Sequence, residues 1–150
     1  MRLVIQRVLN AEVRISGDIF SKINNGLLIL IGVEVNDNQE DVKWLIQKTL
    51  NLRIFSDNKN KMNLSIKDIN GEVLAISQFT LHAKVKKGNR PSFINSANPE
   101  LAQSYYTKFI DGISKDLETE VKAGVFGADM KVSLTNDGPV TIIIDSKNRE

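Results

Sequence analysis

The amino-acid sequence predicts an α+β protein in which a mostly antiparallel, barrel-like β-sheet is covered by two main helices. Three observations support this class. Short apolar segments with strand periodicity dominate residues 2–35, two longer segments carry the helical period, and strand patterns return after each of them. The 150 residues, of which 41% are hydrophobic, suit one globular domain. We therefore expect a single domain over 1–150, with 146–150 as a loose tail.

Residues 2–35 predict successive strands joined by turns. Apolar side chains alternate over 3–5 and again over 13–15, and the Asn-Asn-Gly sequence at 24–26 supplies turn chemistry. The run at 27–31 is apolar without alternation, so we expect a central strand that is covered on both faces. Further strands are predicted over residues 72–81, 119–125, 130–134 and 140–145.

Two amphipathic helices are predicted. The first begins with Asp37 or Asn38 as the capping residue and continues to about Leu52. The second begins with Asn98 as cap and Pro99 at the first helical position, where proline is favoured. The apolar stripe of the second helix, which we interpret as core packing, consists of Leu101, Ala102, Tyr105, Tyr106, Phe109, Ile110, Ile113 and Leu117.

Composition excludes several classes of site. The chain has no cysteine and one histidine, which excludes disulfides, thiolate zinc sites and clusters of imidazoles. The carboxylates lack the spacing of metal ligands and no glycine-rich phosphate loop appears, so we expect neither a metal nor a cofactor. The longest apolar run, residues 27–33, is far shorter than the ~20 residues of a transmembrane helix. We therefore expect a soluble protein without membrane contact, and the absence of cysteine is compatible with a cytoplasmic one.

Two polar motifs stand within apolar strand patterns and form the candidate site. The first is Ser77-Gln78-Phe79-Thr80-Leu81. If the strand continued through it, Ser77 and Phe79 would share one face and Gln78 and Thr80 the other. The motif therefore predicts a hydroxyl and an amide side by side, next to an aromatic face.

The first motif contains no strong acid or base of its own. A nucleophilic Thr80 hydroxyl would need a proton acceptor, and His82 is the nearest candidate in the sequence. Two residues along a strand span ~7 Å, which is too far for a direct hydrogen bond. A surface histidine at the end of the strand is the alternative interpretation.

The second motif is Asn136-Asp137-Gly138-Pro139-Val140-Thr141. From its residue types alone, a hairpin turn between two strands is the favoured interpretation. If the Gly138-Pro139 bond were cis, two successive carbonyls would point the same way as a rigid pair of acceptors. Such a pair could hold an ammonium group without a carboxylate.

A basic loop follows the first motif. Residues 84–90 contain four cations and no acid, and Phe93 comes three residues later. This composition fits phosphate contacts with base stacking, and it equally fits a solvated loop. Because no autonomous catalytic group is visible, a non-catalytic RNA-binding module that uses the 84–90 loop stays open beside an enzyme. A purely structural dimer is a third possibility.

Several stretches together resemble the D-aminoacyl-tRNA deacylases over essentially the whole chain. Besides both motifs, they are residues 5–8, 26–28, 53–57, 61–63, 90–93, 126–128 and Met130. The resemblance implies the fold of that family. It also implies a cofactor-independent homodimer that hydrolyses the ester between a D-amino acid, or glycine, and the terminal adenosine of tRNA.

The resemblance also assigns roles to individual residues. Phe79 would hold the adenine, Ser77, Gln78 and Thr80 would surround the ester, and Met130 would line the pocket. The Gly138-Pro139 pair would enter the active site of the partner subunit and reject L-aminoacyl-tRNA by steric overlap. For the chemical step, assistance by the ribose hydroxyl and attack by Thr80 both stay open. The preferred tRNAs and D-amino acids are not implied.

Overall fold

The computed structural model of the chain describes residues 1–149 and confirms the predicted α+β class. It contains two α-helices and a mixed β-sheet that nearly closes into a barrel. In chain order the elements are β1 (Arg2–Ile15), β2 (Asp18–Ile23), β3 (Gly26–Gly32), α1 (Gln39–Asn51), β4 (Phe55–Ser56), β5 (Met62–Leu64), β6 (Glu72–Ser77), a 3₁₀ helix (Phe79–His82), α2 (Pro99–Leu117), β7 (Lys122–Ala123) and β8 (Lys131–Asp145).

The long strand β1 organises the sheet. It pairs antiparallel with β8 along most of its length, with β3 through residues 2–8 and with β2 through residues 11–15. β3 and β6 are parallel, as are β6 and β7, because α1 and α2 provide the crossovers that parallel neighbours require. Ser21 Oγ in β2 donates to the Ala123 carbonyl of β7 at 2.8 Å, so the two edges approach each other.

The prediction of a central strand at 27–31 is confirmed. Leu27, Ile29 and Ile31 belong to the main core, which lies between the sheet and the two helices. On the opposite face, Leu28 packs in a smaller cluster with residues of β1 and β6, including Val13 and Leu74. Burial on both faces explains why this strand is apolar without alternation.

Both predicted helices are confirmed with their caps. The Asn38 side chain accepts hydrogen bonds from the backbone N–H groups of Glu40 and Asp41, and the Asp41 carboxylate accepts from the Asn38 N–H. At α2, Asn98 Oδ1 accepts from the Leu101 N–H, and Pro99 follows the cap. Neither helix within residues 1–149 has the length and apolar composition needed to span a membrane.

The predicted strand over 72–81 is wrong beyond Ser77. The Gln78 N–H donates to the Ile31 carbonyl at 2.7 Å, and β3 ends one residue later at Gly32. Because no neighbouring strand continues, the chain turns into the 3₁₀ helix over Phe79–His82. Of the strand predicted over 119–125, only Lys122–Ala123 pairs with β6.

The predicted hairpin turn in the second motif is also wrong. Residues 131–145 form one continuous strand, β8, because β1 lies alongside both halves of it. The pairing passes from Val8–Asn136 to Gln6–Thr141, so residues 137–140 bulge out of the ladder. The Gly138-Pro139 peptide bond is cis.

The expectation of a loose tail is wrong for residues 146–149, because polar and cationic contacts anchor them. Ser146 Oγ accepts from the Met1 ammonium at 2.7 Å. Lys147 Nζ donates to Asp41 Oδ2 at 2.6 Å. The Arg149 guanidinium lies 4.5 Å from the centre of the Trp44 ring. Glu150 lies outside the described residues.

Candidate functional site

A cavity of about 560 Å³ opens where β6 ends, between the start of α2 and the segment that leads into β8. Most of its lining is apolar, as is typical of small-molecule sites. Its lining residues include Ser77, Gln78, Phe79, Tyr106, Phe126 and Met130. The structure therefore gathers four sequence-predicted site residues, namely Ser77, Gln78, Phe79 and Met130, at one pocket.

Gln78 and Thr80 meet at the rim of this pocket, although they do not share a strand face. The chain leaves β6 at Ser77, and the 3₁₀ turn brings the two side chains together. Gln78 Nε2 donates to Thr80 Oγ1 at 2.6 Å, and the Thr80 side chain is exposed. Thr80 does not belong to the pocket lining itself. Its hydroxyl is therefore held beside the opening by the amide of Gln78.

Two backbone donors at the same turn lack acceptors. The N–H groups of Phe79 and Thr80 begin the 3₁₀ helix, so no preceding carbonyl of the helix can accept from them. Among residues 1–149 they donate to no other acceptor either. Adjacent free N–H groups beside an apolar pocket are the arrangement that stabilises an oxyanion in acyl-transfer sites.

His82 makes no hydrogen bond to Thr80 among the described residues, and it is not the surface histidine of the alternative interpretation. Its side chain is buried, with 5% of the residue exposed, and its Nε2 has no partner among the described residues. It packs against Gly32, where an added Cβ would lie 3.0 Å from His82 Cδ2. Thr80 faces solvent instead, because residues two apart in a 3₁₀ helix point in different directions.

Tyr106 of α2 closes the floor of the pocket. Its hydroxyl donates to the Ala75 carbonyl at 2.8 Å, and its ring lies 5.8 Å from that of Phe126. Burial raises the pKa of Tyr106 to about 12, so the phenol stays protonated at neutral pH. The group therefore acts here as a fixed donor and an apolar wall.

One carboxylate lines the pocket in the described chain, that of Asp129. It is exposed and pairs with Lys131 Nζ at 3.0 Å. Residues 1–149 contain no group of three His, Asp or Glu side chains placed to hold a metal ion. The pocket thus combines apolar walls, hydroxyl and amide groups and free backbone donors.

The second motif lies away from the pocket of its own subunit. Gly138 and Pro139 are exposed and do not line the cavity. Arg7, whose side chain is 9% exposed, forms an ion pair with Asp137 across 2.9 Å. Asn136 Nδ2 donates to the Arg7 and Val140 carbonyls, each at 3.1 Å. The bulge is therefore held at both ends while its tip stays accessible.

Sequence reasoning gave no role to Arg7, Tyr106 or Phe126. Arg7 continues the alternation of buried Leu3 and Ile5, so its inward position could have been found from the period of β1. Tyr106 was expected in the core, which is correct, but nothing in the stripe indicated that it also reaches a pocket. Phe126 carried no signal apart from the resemblance.

Comparisons with known proteins indicate the family of the chain. The family model described as D-Tyr-tRNA(Tyr) deacylase matches residues 4–145. A protein of Flavobacterium psychrophilum named D-aminoacyl-tRNA deacylase is 59% identical over the full length of both chains. A protein of Bacteroides thetaiotaomicron with the same name is 55% identical over the same extent. A solved structure named c-Myc DNA Unwinding Element Binding Protein superposes with a TM-score of 0.91 at 39% identity, covering 97% of this chain and 98% of that one.

Proposed function

The chain belongs to the D-Tyr-tRNA(Tyr) deacylase family and is a hydrolase of D-aminoacyl-tRNA, and we propose that the pocket lined by Ser77, Gln78 and Phe79, with Thr80 at its rim, is its active site. The observation that carries the assignment is the convergence of Ser77, Gln78, Phe79 and Met130 on one cavity beside two free backbone donors. Phe79 is 56% exposed at the rim and offers its ring to the adenine of the terminal adenosine. The aminoacyl ester then lies beside Gln78. Charged tRNA as the substrate favours action in the cytoplasm.

For the chemical step, we propose that the N–H groups of Phe79 and Thr80 stabilise the oxyanion of the tetrahedral intermediate. Each such donor is worth roughly 3–4 kcal/mol in hydrolases. The pocket offers no suitable base, because Tyr106 stays protonated and Asp129 is exposed and paired with Lys131. The vicinal ribose hydroxyl of the terminal adenosine therefore assists the attacking water. Attack by Thr80 is the alternative, and its partner Gln78 is an amide that cannot accept a proton as a base.

A substrate whose terminal ribose lacks the 2′-hydroxyl separates these mechanisms. With ribose assistance, the wild-type enzyme cleaves this substrate much more slowly than the natural one, and Thr80→Val retains measurable turnover on the natural one. The reverse pattern, with full cleavage of the deoxy substrate and none by Thr80→Val, would establish Thr80 as the nucleophile. Thr80→Ser provides the matched control, because it keeps the hydroxyl.

Chiral selection is proposed to come from the Gly138-Pro139 segment of a second subunit. The segment is exposed, does not line its own pocket and is held by Arg7 and Asn136, which suits a rigid backbone wall. An L side chain would overlap such a wall, whereas a D side chain would point away from it. Glycine has no side chain to exclude, so glycyl-tRNA should pass as well.

Incubation with matched D-tyrosyl-, L-tyrosyl- and glycyl-tRNA, following loss of the ester, tests the substrate assignment. We expect rapid loss of the D and glycyl esters and loss of the L ester at the spontaneous rate. Equal cleavage of both tyrosyl isomers would contradict the steric wall. Failure to cleave all three would contradict the assignment of the pocket as a deacylase site.

Mixed dimers test whether the segment acts across subunits. One partner carries Gln78→Ala, which disables its own pocket, and the other carries Pro139→Ala, which alters the segment. In a mixed dimer, the Pro139→Ala subunit supplies an intact pocket. The Gln78→Ala subunit supplies the intact segment that faces this pocket. Mixing should therefore restore activity and discrimination at one of two sites. If the segment served its own subunit, mixing two impaired proteins would restore nothing.

The basic loop keeps a non-catalytic RNA-binding module as the second candidate. Its four cations form no ion pair within residues 1–149. Such a module would bind RNA in a salt-dependent manner and leave the aminoacyl group in place. The same incubation decides between the two, because binding without ester loss fits the module alone.

A further inference from the structure

The four cations of the basic loop (residues 84–90) form a concentration of positive charge without a counter-ion. Lys84, Lys86, Lys87 and Arg90 are exposed and make no ion pair among residues 1–149. No acidic residue occurs between Glu72 and Glu100 in the sequence. Elsewhere seven basic side chains have carboxylate partners, those of Arg2, Arg7, Arg14, Lys43, Lys122, Lys131 and Lys147. The basic loop is thus a run of four cations within seven residues that has no carboxylate partner in the described chain.

The basic loop has a defined base and a free tip. The Lys84 N–H donates to the Ser92 carbonyl at 2.8 Å, and the Ser92 N–H donates back to the Lys84 carbonyl at 3.0 Å. These two bonds close the loop. Gly88, with φ of 70°, allows the chain to reverse at the tip. The residues between the ends of the bridge are all exposed, so their cations can approach a large ligand together.

The basic loop is joined directly to the rim of the pocket. Its first residue follows the 3₁₀ helix by two positions, and after its last residue Phe93 returns to Phe79 with ring centres 5.0 Å apart, edge to face. Ser96 Oγ then donates to the Phe79 carbonyl at 3.0 Å. A nucleic acid whose terminal base lies on Phe79 would thus extend its next phosphates toward the cations.

We propose that the basic loop binds the phosphates of the 3′ strand of tRNA that precede the terminal adenosine. This inference rests on the proposed function, because it assumes that the terminal adenosine and its ester bind at the pocket lined by Ser77, Gln78 and Phe79. Lysines serve as point charges for phosphate and Arg90 can bind one phosphate with two N–H groups. The loop then contributes affinity for the RNA, while the pocket performs the chemistry.

Kinetics of Lys86→Ala/Lys87→Ala on two substrates test this assignment. On D-tyrosyl-tRNA we expect KM to rise about tenfold at low salt, with kcat within twofold of wild type. The slope of log KM against log salt should decrease by roughly 1.4–1.8, because each lost phosphate contact contributes ~0.7–0.9. On 3′-D-tyrosyl-adenosine, which has no phosphate, KM should not change.

Lys67→Ala/Lys115→Ala is the matched control. It removes the same charge from two exposed sites outside the pocket lining, and its KM should equal that of wild type. The inference is wrong if the control raises KM equally, if KM of the loop variant is unchanged, or if its KM rises equally on the phosphate-free substrate. If the wild-type protein cleaved neither substrate, the proposed function would be wrong, and this inference with it. Melting temperatures equal to wild type would show that both variants are folded.

Discussion

Arg7 Nε lies 2.9 Å from a carboxylate oxygen of Asp137, and this ion pair ties a buried position of β1 to the residue before Gly138. Arg7 Nη1 also donates to the Ile54 carbonyl at 2.5 Å. Three segments distant in sequence therefore meet at one guanidinium. Because the β1–β8 ladder is interrupted here, these contacts take the place of strand pairing in fixing the bulge.

Asp137→Asn should impair catalysis with little effect on stability. Asn has nearly the same size but loses the charge, so the bulge can shift relative to the site that it serves. We expect rejection of L-tyrosyl-tRNA to weaken and kcat/KM for D-tyrosyl-tRNA to fall about tenfold, since a misplaced segment would also intrude on the pocket that it faces. The melting temperature should change little, because the Asp137 side chain is 37% exposed. Asp111→Asn, on the exposed face of α2, should behave as wild type. Unchanged kcat/KM for Asp137→Asn would remove the positioning role.

Tyr106→Phe should lower stability at neutral pH and change its alkaline dependence. The variant loses the hydrogen bond to the Ala75 carbonyl, although the Gly124 N–H still donates to that oxygen at 3.1 Å. We expect a loss of about 1 kcal/mol in the free energy of unfolding, measured by urea denaturation at pH 7.

The alkaline dependence follows from the pKa of Tyr106. Burial raises it from 10.0 to about 12, so between these values the unfolded chain ionises while the folded chain keeps the proton. The stability that protonated Tyr106 contributes is fully present below pH 10. It is lost as pH rises toward 12, by at most ~1.4 kcal/mol per pH unit. Tyr106→Phe should have a flatter stability curve from pH 10 to 12. An equally steep curve would contradict the assignment.

Asp41→Asn should weaken the anchor of residues 146–149 and flatten the acid dependence of stability. Burial acts to raise the pKa of Asp41, but hydrogen bonds from Lys147 and from the Asn38 N–H outweigh it and lower the pKa below 3.8. The stabilisation is therefore present above pH 3.8 and is lost as pH falls below it. At pH 7 we expect a loss of about 1 kcal/mol, because Lys147 loses its hydrogen bond to Asp41 and keeps only the longer ion pair with Asp37 at 4.0 Å.

Lys43→Gln is the control for the Asp41 experiment. It removes a fully solvated pair with Glu40 on the same helix, in which both side chains are at least 66% exposed. We expect its stability to stay within about 0.5 kcal/mol of wild type at every pH. If Asp41→Asn and Lys43→Gln had the same acid profile, the anchor would contribute nothing specific.

The elements that the sequence predicted correctly depend on signals within a few residues. The caps Asn38 and Asn98 begin the two helices because their side chains accept from nearby N–H groups. The apolar run of β3 indicated burial on both faces through its composition alone. Ser77, Gln78, Phe79 and Met130 were placed in one pocket by the resemblance, and the cavity brings them together.

The features that were missed depend on distant parts of the chain. Whether the strand continues past Ser77 is decided by the end of β3 at Gly32, which the local pattern cannot indicate. The Asn136–Pro139 segment has turn residues, yet β1 keeps it inside one strand. Likewise, residues 146–149 are polar, and the contacts of Ser146 and Lys147 depend on partners more than a hundred positions earlier.

Gly124→Ala should reduce the space in the pocket and change its selectivity. An added Cβ would overlap Met130 Sδ and lie 3.1 Å from Ile76 Cδ1, so the Met130 side chain must move. Because Met130 lines the cavity, we expect kcat/KM to fall about tenfold or more for D-tyrosyl-tRNA and less than threefold for glycyl-tRNA.

The double variant Gly124→Ala/Met130→Ala separates a filled pocket from a damaged fold. Shortening Met130 makes room for the added methyl group, so cleavage of D-tyrosyl-tRNA should recover relative to Gly124→Ala alone. The alternative outcome is an equal loss of kcat/KM on D-tyrosyl- and glycyl-tRNA that Met130→Ala does not relieve. It would mean that the methyl group disturbs the β6–β7 edge, where the Gly124 N–H donates to the Ala75 carbonyl. Recovery restricted to the bulky substrate would locate its side chain beside Met130.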